Sequence, residues 1–191
     1  MPLVDQELQE FEALLEYMLG TATHAKASKG EQLMRQHYEK QGWTVYNSQK
    51  SLTGPGPDAI IWKRDGTKPG NPLELRLVDN KSGSRAVVTC PSGLSARSLR
   101  RNLPKIVKDL LVPKKPPIKD AEAVAKLLEA TWKAALRCDR RMPPGVKLYV
   151  TNACGEATSA HILRFPTEAG RDCPIVHFEN LRIDKRACGS T

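Results

Sequence analysis

Aromatic residues are scarce in this chain of 191 residues, since Phe, Trp and Tyr together make up 5% of it. Stacking platforms for single-stranded nucleic acid, which need several exposed rings, are therefore not abundant. The chain also lacks an apolar run that approaches the roughly 20 residues of a membrane-spanning helix. Its opening stretch, MPLVDQELQEFEALL, is acidic and amphipathic. We therefore expect neither a signal peptide in this stretch nor a membrane partner.

Cysteine pairs are also absent from the sequence. The five cysteines are far apart and form no C-x-x-C pair, so their spacing does not indicate a zinc-binding site. Their odd number argues against a fully paired disulfide framework. We expect buried or inert thiols in a reducing compartment, and therefore a cytoplasmic site of action. The cysteines are Cys90, Cys138, Cys154, Cys173 and Cys188.

Basic residues are in clear excess: 30 Lys and Arg stand against 21 Asp and Glu, which gives a formal net charge of +9. A balance of this size favours a polyanionic partner, and nucleic acid is the first candidate. The alternative is a solvated basic surface without such a partner.

Helical and strand periodicities alternate in the order α-α-β-β-β-β-α-α-β-β-β, which predicts a mixed central sheet flanked by helices. Asp65-Gly66 signals a hairpin turn. Asp120 is expected to cap the last helix, and Pro104 to kink or divide the helix before it. The predicted helices cover 5–19, 29–41, 94–112 and 120–141. The predicted strands cover 43–46, 58–62, 73–81, 85–90 and 146–152, with two more inside 159–165 and 174–183.

The stretch GPDAIIWKRDGTKPGNPLELRLVDNKSG, residues 56–83, places acids at the ends of two predicted strands. Asp58 opens the first strand, and period-two alternation puts Asp79 and Lys81 on the leucine face of the second. Two carboxylates in close approach repel unless a cation lies between them. A hard divalent cation accepts such oxygen ligands, keeps several waters, and can acidify one of them. The pattern therefore predicts metal-assisted hydrolysis, with Lys81 beside the water or the developing charge of a phosphate.

Pro57-Asp58 followed by Asp79-Asn80-Lys81 resembles the signature of the PD-(D/E)XK nuclease superfamily. The phrase SKGEQLMRQHYEKQGWTVY, a helix with an early glutamate followed by a strand, looks like the superfamily's lead-in. The resemblance covers about residues 29–90, and it departs from many members in having Asp where they have Glu in the second motif. It implies an α/β (α+β) fold with a restriction-endonuclease-like core. The catalytic residues that it implies are Glu31, Asp58, Asp79 and Lys81.

The same resemblance implies a metal-dependent endonuclease that uses Mg²⁺ or Mn²⁺, with DNA expected as its substrate over RNA. The length of the chain suits one nuclease domain over residues 1–191. Within that domain we expect an N-terminal helical segment (1–28), a core motif region (29–90), and basic helices with further strands (91–191). A lone domain of this kind looks like the toxin modules of secreted bacterial effectors, and it is equally similar to a restriction or repair-type enzyme. The likeness to a toxin module implies delivery from another cell and an acidic inhibitory partner. The implied metal ligands are Glu31, Asp58, Asp79 and the main-chain carbonyl of Asn80.

A basic helix follows the motif region and is predicted to contact the phosphate backbone. Two alternatives remain open. One is an RNA nuclease of the same fold, with tRNA as a substrate. The other is a non-catalytic nucleic-acid-binding protein, in which Asp58 caps a turn and the Asp79 and Lys81 strand end is simply solvated. The predicted nucleic-acid contacts are Arg97, Arg100, Arg101 and Lys105.

Overall fold

The computed structural model describes residues 29–47, 56–81, 92–152, 175–181 and 183. Within these residues three helices and five strands form an α+β fold around a mixed sheet, as the sequence predicts. The helix predicted at 5–19 and the strands predicted at 85–90 and 159–165 lie outside the described residues. The elements are α1 (residues 29–40), β1 (Thr44–Asn47), β2 (Ala59–Arg64), β3 (Leu73–Lys81), a 3-10 turn (Ser92–Leu94), α2 (Ala96–Leu111), α3 (Ala121–Leu136), β4 (Val146–Asn152) and β5 (His177–Asn180).

The sheet has the strand order β1-β2-β3-β4-β5. The first three strands are antiparallel neighbours, whereas β3, β4 and β5 run parallel. The loop of residues 65–72 closes the β2–β3 hairpin, and the N–H of Asp65 donates to the carbonyl of Pro72 at 2.9 Å. The hairpin signal at Asp65-Gly66 is therefore confirmed. The parallel connection from β3 to β4 runs through α2 and α3, as parallel strands require a long crossover.

Period-two alternation along the strands divides the core between two faces of the sheet. Leu75 and Leu77 are fully buried in the larger cluster, which α2 and α3 cover. Val78 belongs to the smaller cluster, into which α1 packs Met34 and Tyr38. The sheet is thus covered by helices on both faces, and alternate residues of β3 face different layers.

Helix α1 ends where the sequence predicts a stop at Gly42. Gly42 has a positive φ of 78°, which glycine adopts without steric penalty. The N–H of Trp43 donates to the carbonyl of Tyr38 at 3.1 Å, and the N–H of Gly42 donates to that of Glu39 at 3.0 Å. This is a Schellman motif, which satisfies the last carbonyls of the helix.

The prediction for α3 is wrong at its C-terminal end, whereas at its N-terminal end the cap position is confirmed but the cap bond is not. The helix ends at Leu136 instead of continuing to 141, because Cys138 adopts a positive φ of 56°. The N–H of Asp139 then donates to the carbonyl of Ala134 at 3.0 Å and closes the helix. At the other end, Asp120 occupies the N-cap position but makes no side-chain cap bond. Its carboxylate instead accepts hydrogen bonds from Arg64 at 2.8 and 3.1 Å, which are charge-assisted.

Helix α2 is continuous, so the predicted division at Pro104 does not occur. Pro104 lies on the exposed side of the helix. Proline has no N–H to donate to the carbonyl one turn earlier, and on this side water can donate to that carbonyl instead. Smaller boundary differences affect α2 and three strands. Helix α2 begins at 96 instead of 94, β1 is shifted by one residue, β2 covers 59–64 instead of 58–62, and β5 occupies only 177–180 of the predicted 174–183.

Candidate acidic site at the ends of β2 and β3

The β2–β3 hairpin carries two aspartates to the same end of the sheet. Ala59 is paired with Val78 in the last pair of the β2–β3 ladder, and Asp58 directly precedes it. The N–H of Asp58 donates to the carbonyl of Val78 at 2.8 Å. Oδ2 of Asp58 accepts the N–H of Asn80 at 2.6 Å. The Asp58 carboxylate is therefore anchored directly to the end of β3.

Asp79 and Lys81 form an ion pair on the leucine face of β3, which confirms the face that the alternation predicts. Nζ of Lys81 lies 2.5 Å from Oδ1 of Asp79. The Asp79 side chain is 4% exposed and that of Lys81 is 34% exposed. The lysine therefore compensates a buried carboxylate, which would be unfavourable without a partner, while it keeps contact with solvent.

A close backbone contact at Gly93 completes this part of the site. A Cβ added at Gly93 would overlap the carbonyl oxygen of Gly56 and lie 3.2 Å from Oδ2 of Asp79. The 3-10 turn before α2 is therefore packed against both the segment that leads to Asp58 and the carboxylate of Asp79. The sequence analysis did not identify Gly93, because this approach joins residues that are distant in the chain.

Glu31 lies near Asp58 but on a different side of the site from the ion pair. Glu31 in α1 and Asp58 line one pocket of about 280 Å³, together with Arg35 and Asn47. Of the described residues, Asp79 and Lys81 are not among those that line it. The structure thus brings together Glu31 with Asp58, and Asp79 with Lys81. The two pairs meet at the ends of β2 and β3.

The chemistry of the donors fits a hard divalent cation, because Mg²⁺ and Mn²⁺ prefer carboxylate and carbonyl oxygens. Over the described ranges, no three His, Cys, Asp or Glu side chains lie together as a ready metal-binding group. The Asn80 side chain is directed to β4, where its Oδ1 accepts the hydroxyl of Thr151 at 2.9 Å. Its Nδ2 is buried without a hydrogen-bond partner among the described residues. Carboxylates from at most two of the predicted positions are thus in reach of one another, and main-chain oxygens and water would have to supply the remaining ligands.

The predicted nucleic-acid contacts lie on α2, whose N-terminus adjoins this site through the Gly93 turn. Arg97, Arg101 and Lys105 are exposed, as is Lys108 one turn further. Arg100 differs from them, since it is half-buried and its Nε donates to the carbonyl of Ala96 at 3.3 Å. The first turn of α2 contains no acidic residue. A positive helix end and a row of cations therefore begin beside the acidic strand ends.

Buried polar residues that the sequence analysis missed surround the acidic site. The Ser98 hydroxyl donates to the carbonyl of Gly93 at 2.9 Å, and Nδ2 of Asn102 donates to Oγ of Ser98 at 3.3 Å. Thr151 and Asn152, both fully buried, end β4 opposite Asn80 and Lys81. A signal for the β4 pair is present in the sequence, since VKLYVTN and LELRLVDNK both end an apolar strand in polar residues. In parallel sheets this is the edge at which ligands bind.

The opposite face of the sheet contains a charge cluster that holds α1 and β5 in place. The Arg76 guanidinium lies over the rings of Trp43 and Tyr149, at 4.3 and 4.4 Å from their centroids. It also forms ion pairs with Glu74 at 3.0 Å and Glu179 at 3.1 Å. Cation–π contacts stabilise a protein more when the cation is removed from water, and the Arg76 side chain is only 16% exposed. The cluster therefore fixes the position of β5 and of the end of α1, the helix that carries Glu31.

The pKa values in this cluster follow from burial and charge. Burial raises the pKa of the Tyr38 phenol, and its hydrogen bond to Glu179 at 2.7 Å raises it further. Burial also acts to raise the pKa of Glu74, but the hydrogen bond and charge of Arg76, together with Lys147, outweigh it. The pKa of Glu74 therefore lies below its ordinary value.

Comparisons with known proteins add no family to this description: no protein-family model, curated protein or solved structure matches the chain. None of the described helices is long and apolar enough to cross a membrane. Cys138 is a free and exposed cysteine, so of the two expectations for the thiols, burial does not hold at that position and inertness stays a prediction.

Proposed function

We propose that this chain is a divalent-metal-dependent nuclease that hydrolyses phosphodiester bonds of nucleic acid, with DNA favoured over RNA. The observation that carries the proposal is the end of the β2–β3 hairpin. There the Asp58 carboxylate accepts the N–H of Asn80, the residue next to Asp79, and Lys81 is held 2.5 Å from Asp79. An acid pair with an adjoining ammonium suits phosphoryl chemistry better than a binding role alone.

Glu31 and Asp58, which line one pocket, are the carboxylates that would together hold Mg²⁺ or Mn²⁺. Asp79 and the main-chain carbonyl of Asn80, the other predicted ligands, would join them only if Asp79 exchanged its contact with Lys81 for the cation. A bound cation supplies Lewis acidity and an acidified water at this edge of the sheet. The N–H of Asn80 holds the Asp58 carboxylate at 2.6 Å. This contact reduces the reorganisation that ligand binding requires of that side chain.

Lys81 and α2 act on the substrate in this proposal. The ammonium of Lys81 is a hydrogen-bond donor, and its partial exposure lets it reach a phosphate oxygen or orient the attacking water. Arg97, Arg101 and Lys105 are exposed along α2 and contact backbone phosphates, which positions the strand without reading its sequence. Arg100 contributes less, because its guanidinium is engaged with its own helix.

A non-catalytic nucleic-acid-binding protein is the second candidate, and specific observations favour it. Asp79 is already compensated by Lys81. Over the described ranges no three acidic, His or Cys groups form a metal cluster. In this alternative the Asp58 contact to Asn80 and the Asp79–Lys81 pair only stabilise the hairpin. The basic surface of α2 then accounts for the whole function.

RNA, and tRNA in particular, remains the alternative substrate within the catalytic proposal. No described feature separates the two nucleic acids, so the choice of DNA stays a prediction. Delivery as a toxin and an acidic inhibitory partner also stay predictions from the resemblance.

The test is cleavage of supercoiled plasmid and, separately, of total tRNA, each with Mg²⁺, Mn²⁺ or EDTA. Asp79→Asn and Lys81→Ala are compared with Asp65→Asn and Lys68→Ala, which alter an Asp–Lys ion pair at the opposite end of the same hairpin. Metal-dependent cleavage that is lost only in the first two variants supports the nuclease. Salt-sensitive binding without cleavage of either substrate favours the non-catalytic alternative.

A further inference from the structure

An apolar groove runs between α2 and α3 on the side away from the sheet. Its volume is about 220 Å³. Leu103 and Val107 form its floor as outer members of the core, and Trp132 packs beside them as a partly buried residue. Pro104 is an exposed edge of the groove, so an apolar ring faces solvent there. Glu129 and Lys133 of α3 form the remaining rim.

The groove adjoins the exposed cations of α2. At 100° per residue, Pro104 lies on the helix surface between the groove residues and the row that contains Arg97, Arg101 and Lys108. These three cations are exposed, and Lys133 is exposed on the α3 side. A ligand in the groove therefore has apolar contacts below it and positive charge along its flank. An amphipathic helix with an acidic flank fits such a surface.

The sequence of this chain contains one segment with that chemistry, at residues 5–19, outside the described residues. Leu8, Phe11, Leu15 and Met18 recur at three- and four-residue steps. On the predicted helix the acids Glu12 and Glu16 lie on one flank of this apolar row. The segment contains five acidic residues and no Lys or Arg, in a chain whose net charge is +9.

The connection to the groove passes around the edge of the sheet, because α1 packs on one face and α2 and α3 pack on the other. Residues 20–28 separate the segment from the described start of α1, and nine extended residues span about 30 Å. Glu31 near the start of α1 shares a pocket with Asp58, and the turn that leads into α2 contacts Asp79. The described start of α1 and the N-terminus of α2 thus adjoin the same edge of the sheet. The groove lies about two helical turns further along α2.

We propose that the acidic amphipathic segment 5–19 docks in the groove between α2 and α3 and lies alongside the basic row of α2. Docking places carboxylates beside the cations that a phosphate backbone would contact, so the segment and nucleic acid compete for one surface. This competition rests on the proposed function, whereas the docking itself does not.

The test is zero-length carbodiimide cross-linking of the full chain, followed by mass spectrometry. Docking predicts cross-links from Glu12 or Glu16 to Lys108 or Lys133. The variant Phe11→Ser with Leu15→Ser removes the apolar contacts but keeps every acid, and it should lose these cross-links. The matched control, Gln6→Ser with Gln9→Ser, should retain them. A mixture of isotope-labelled and unlabelled chains distinguishes contacts within one chain from contacts between two.

The docking is overturned if Glu12 and Glu16 form no cross-links, or form them only with other lysines. It is also overturned if the cross-links persist in the Phe11→Ser, Leu15→Ser variant. Cross-links between labelled and unlabelled chains would instead assign the groove to a second copy. DNA affinity is measured in parallel with the same variants. If the segment is docked in about nine chains of ten, its release lowers the apparent Kd about tenfold. Cross-links without any change in affinity would support the docking and contradict the role of the basic row in binding nucleic acid.

Discussion

Replacing Lys81 by Met should destabilise the protein far more than the same change at Lys68, although both lysines pair with an aspartate of one hairpin. Lys81→Met leaves a carboxylate that is 4% exposed without its partner. Removing one partner of a fully buried pair costs about 3–5 kcal/mol. Because Lys81 is 34% exposed, water can partly solvate the remaining charge, and we expect a loss of about 2–3 kcal/mol. Lys68 is 66% exposed, and its replacement should leave the midpoint of unfolding unchanged.

Urea denaturation at neutral pH measures this difference through the midpoint and the slope of the transition. The double variant Asp79→Asn with Lys81→Met should recover part of the loss, since a neutral amide is less costly to bury than an unpaired carboxylate. A free energy of unfolding for Lys81→Met within about 0.5 kcal/mol of the wild type would contradict a stabilising role of the ion pair. It would mean that Asp79 is solvated or is stabilised by other groups.

Three further predictions concern the backbone contact, acid stability and nucleic-acid binding. Gly93→Ala should lower stability by about 1–3 kcal/mol, because the added methyl group overlaps a neighbouring carbonyl, whereas Gly66→Ala meets nothing within 4 Å and should be tolerated. Urea denaturation compares the two variants. Glu74→Gln should flatten the decline of stability on acidification. Its folded pKa lies below the ordinary value of 4.5, so its contribution is complete above that pH and is lost as the pH falls through the folded pKa. Arg101→Ala should weaken DNA binding on all sequences and reduce the salt slope by about one unit, unlike Lys126→Ala on α3.

Each of these predictions has a result that contradicts it. Equal stability of the two glycine variants would show that the 3-10 turn can move away from the acidic site. Denaturation at several pH values measures how stability declines on acidification. If the decline is the same in Glu74→Gln as in the wild type, Glu74 does not contribute to it. Equal effects of the α2 and α3 variants in a fluorescence-anisotropy titration would mean that general charge drives binding, without a defined surface.

The sequence predicts the strands that bear the site well, because their signals are local. Strands β3 and β4 have the predicted bounds, since the alternation in LELRLVDNK and the β-forming residues of VKLYVTN leave little choice of register. The same alternation predicts the shared face of Asp79 and Lys81, and their ion pair confirms it. The stop of α1 at Gly42 also follows from a local preference.

Features that depend on contacts between distant residues could not be predicted. Helix α3 ends at Leu136 because Cys138, two residues further on, adopts a conformation that glycine usually adopts, so the usual stop signal is missing from the sequence. Arg64 draws the Asp120 carboxylate away from the cap through a pairing across 56 positions. The close approach of Gly93 to Asp79 likewise joins segments that no periodicity connects.

The candidate site shows the same limit. The hairpin pattern indicates that Asp58 and Asp79 lie at one end of the sheet, and there the Asn80 N–H donates to the Asp58 carboxylate. The pattern does not indicate that Glu31 and Asp58 line one pocket while Asp79 is paired with Lys81 on another side. This arrangement depends on which side of the sheet each side chain faces, and the helices packed on the two sides determine that.

Titration with Mn²⁺, followed by electron paramagnetic resonance, tests the central claim most directly because it requires no knowledge of the true substrate. We expect saturable binding by the wild type and by Asp65→Asn, which changes an acid at the far end of the hairpin, and loss of that binding in Asp58→Asn. Absence of saturable binding in the wild type, or equal binding by all three proteins, would contradict a metal site at the ends of β2 and β3.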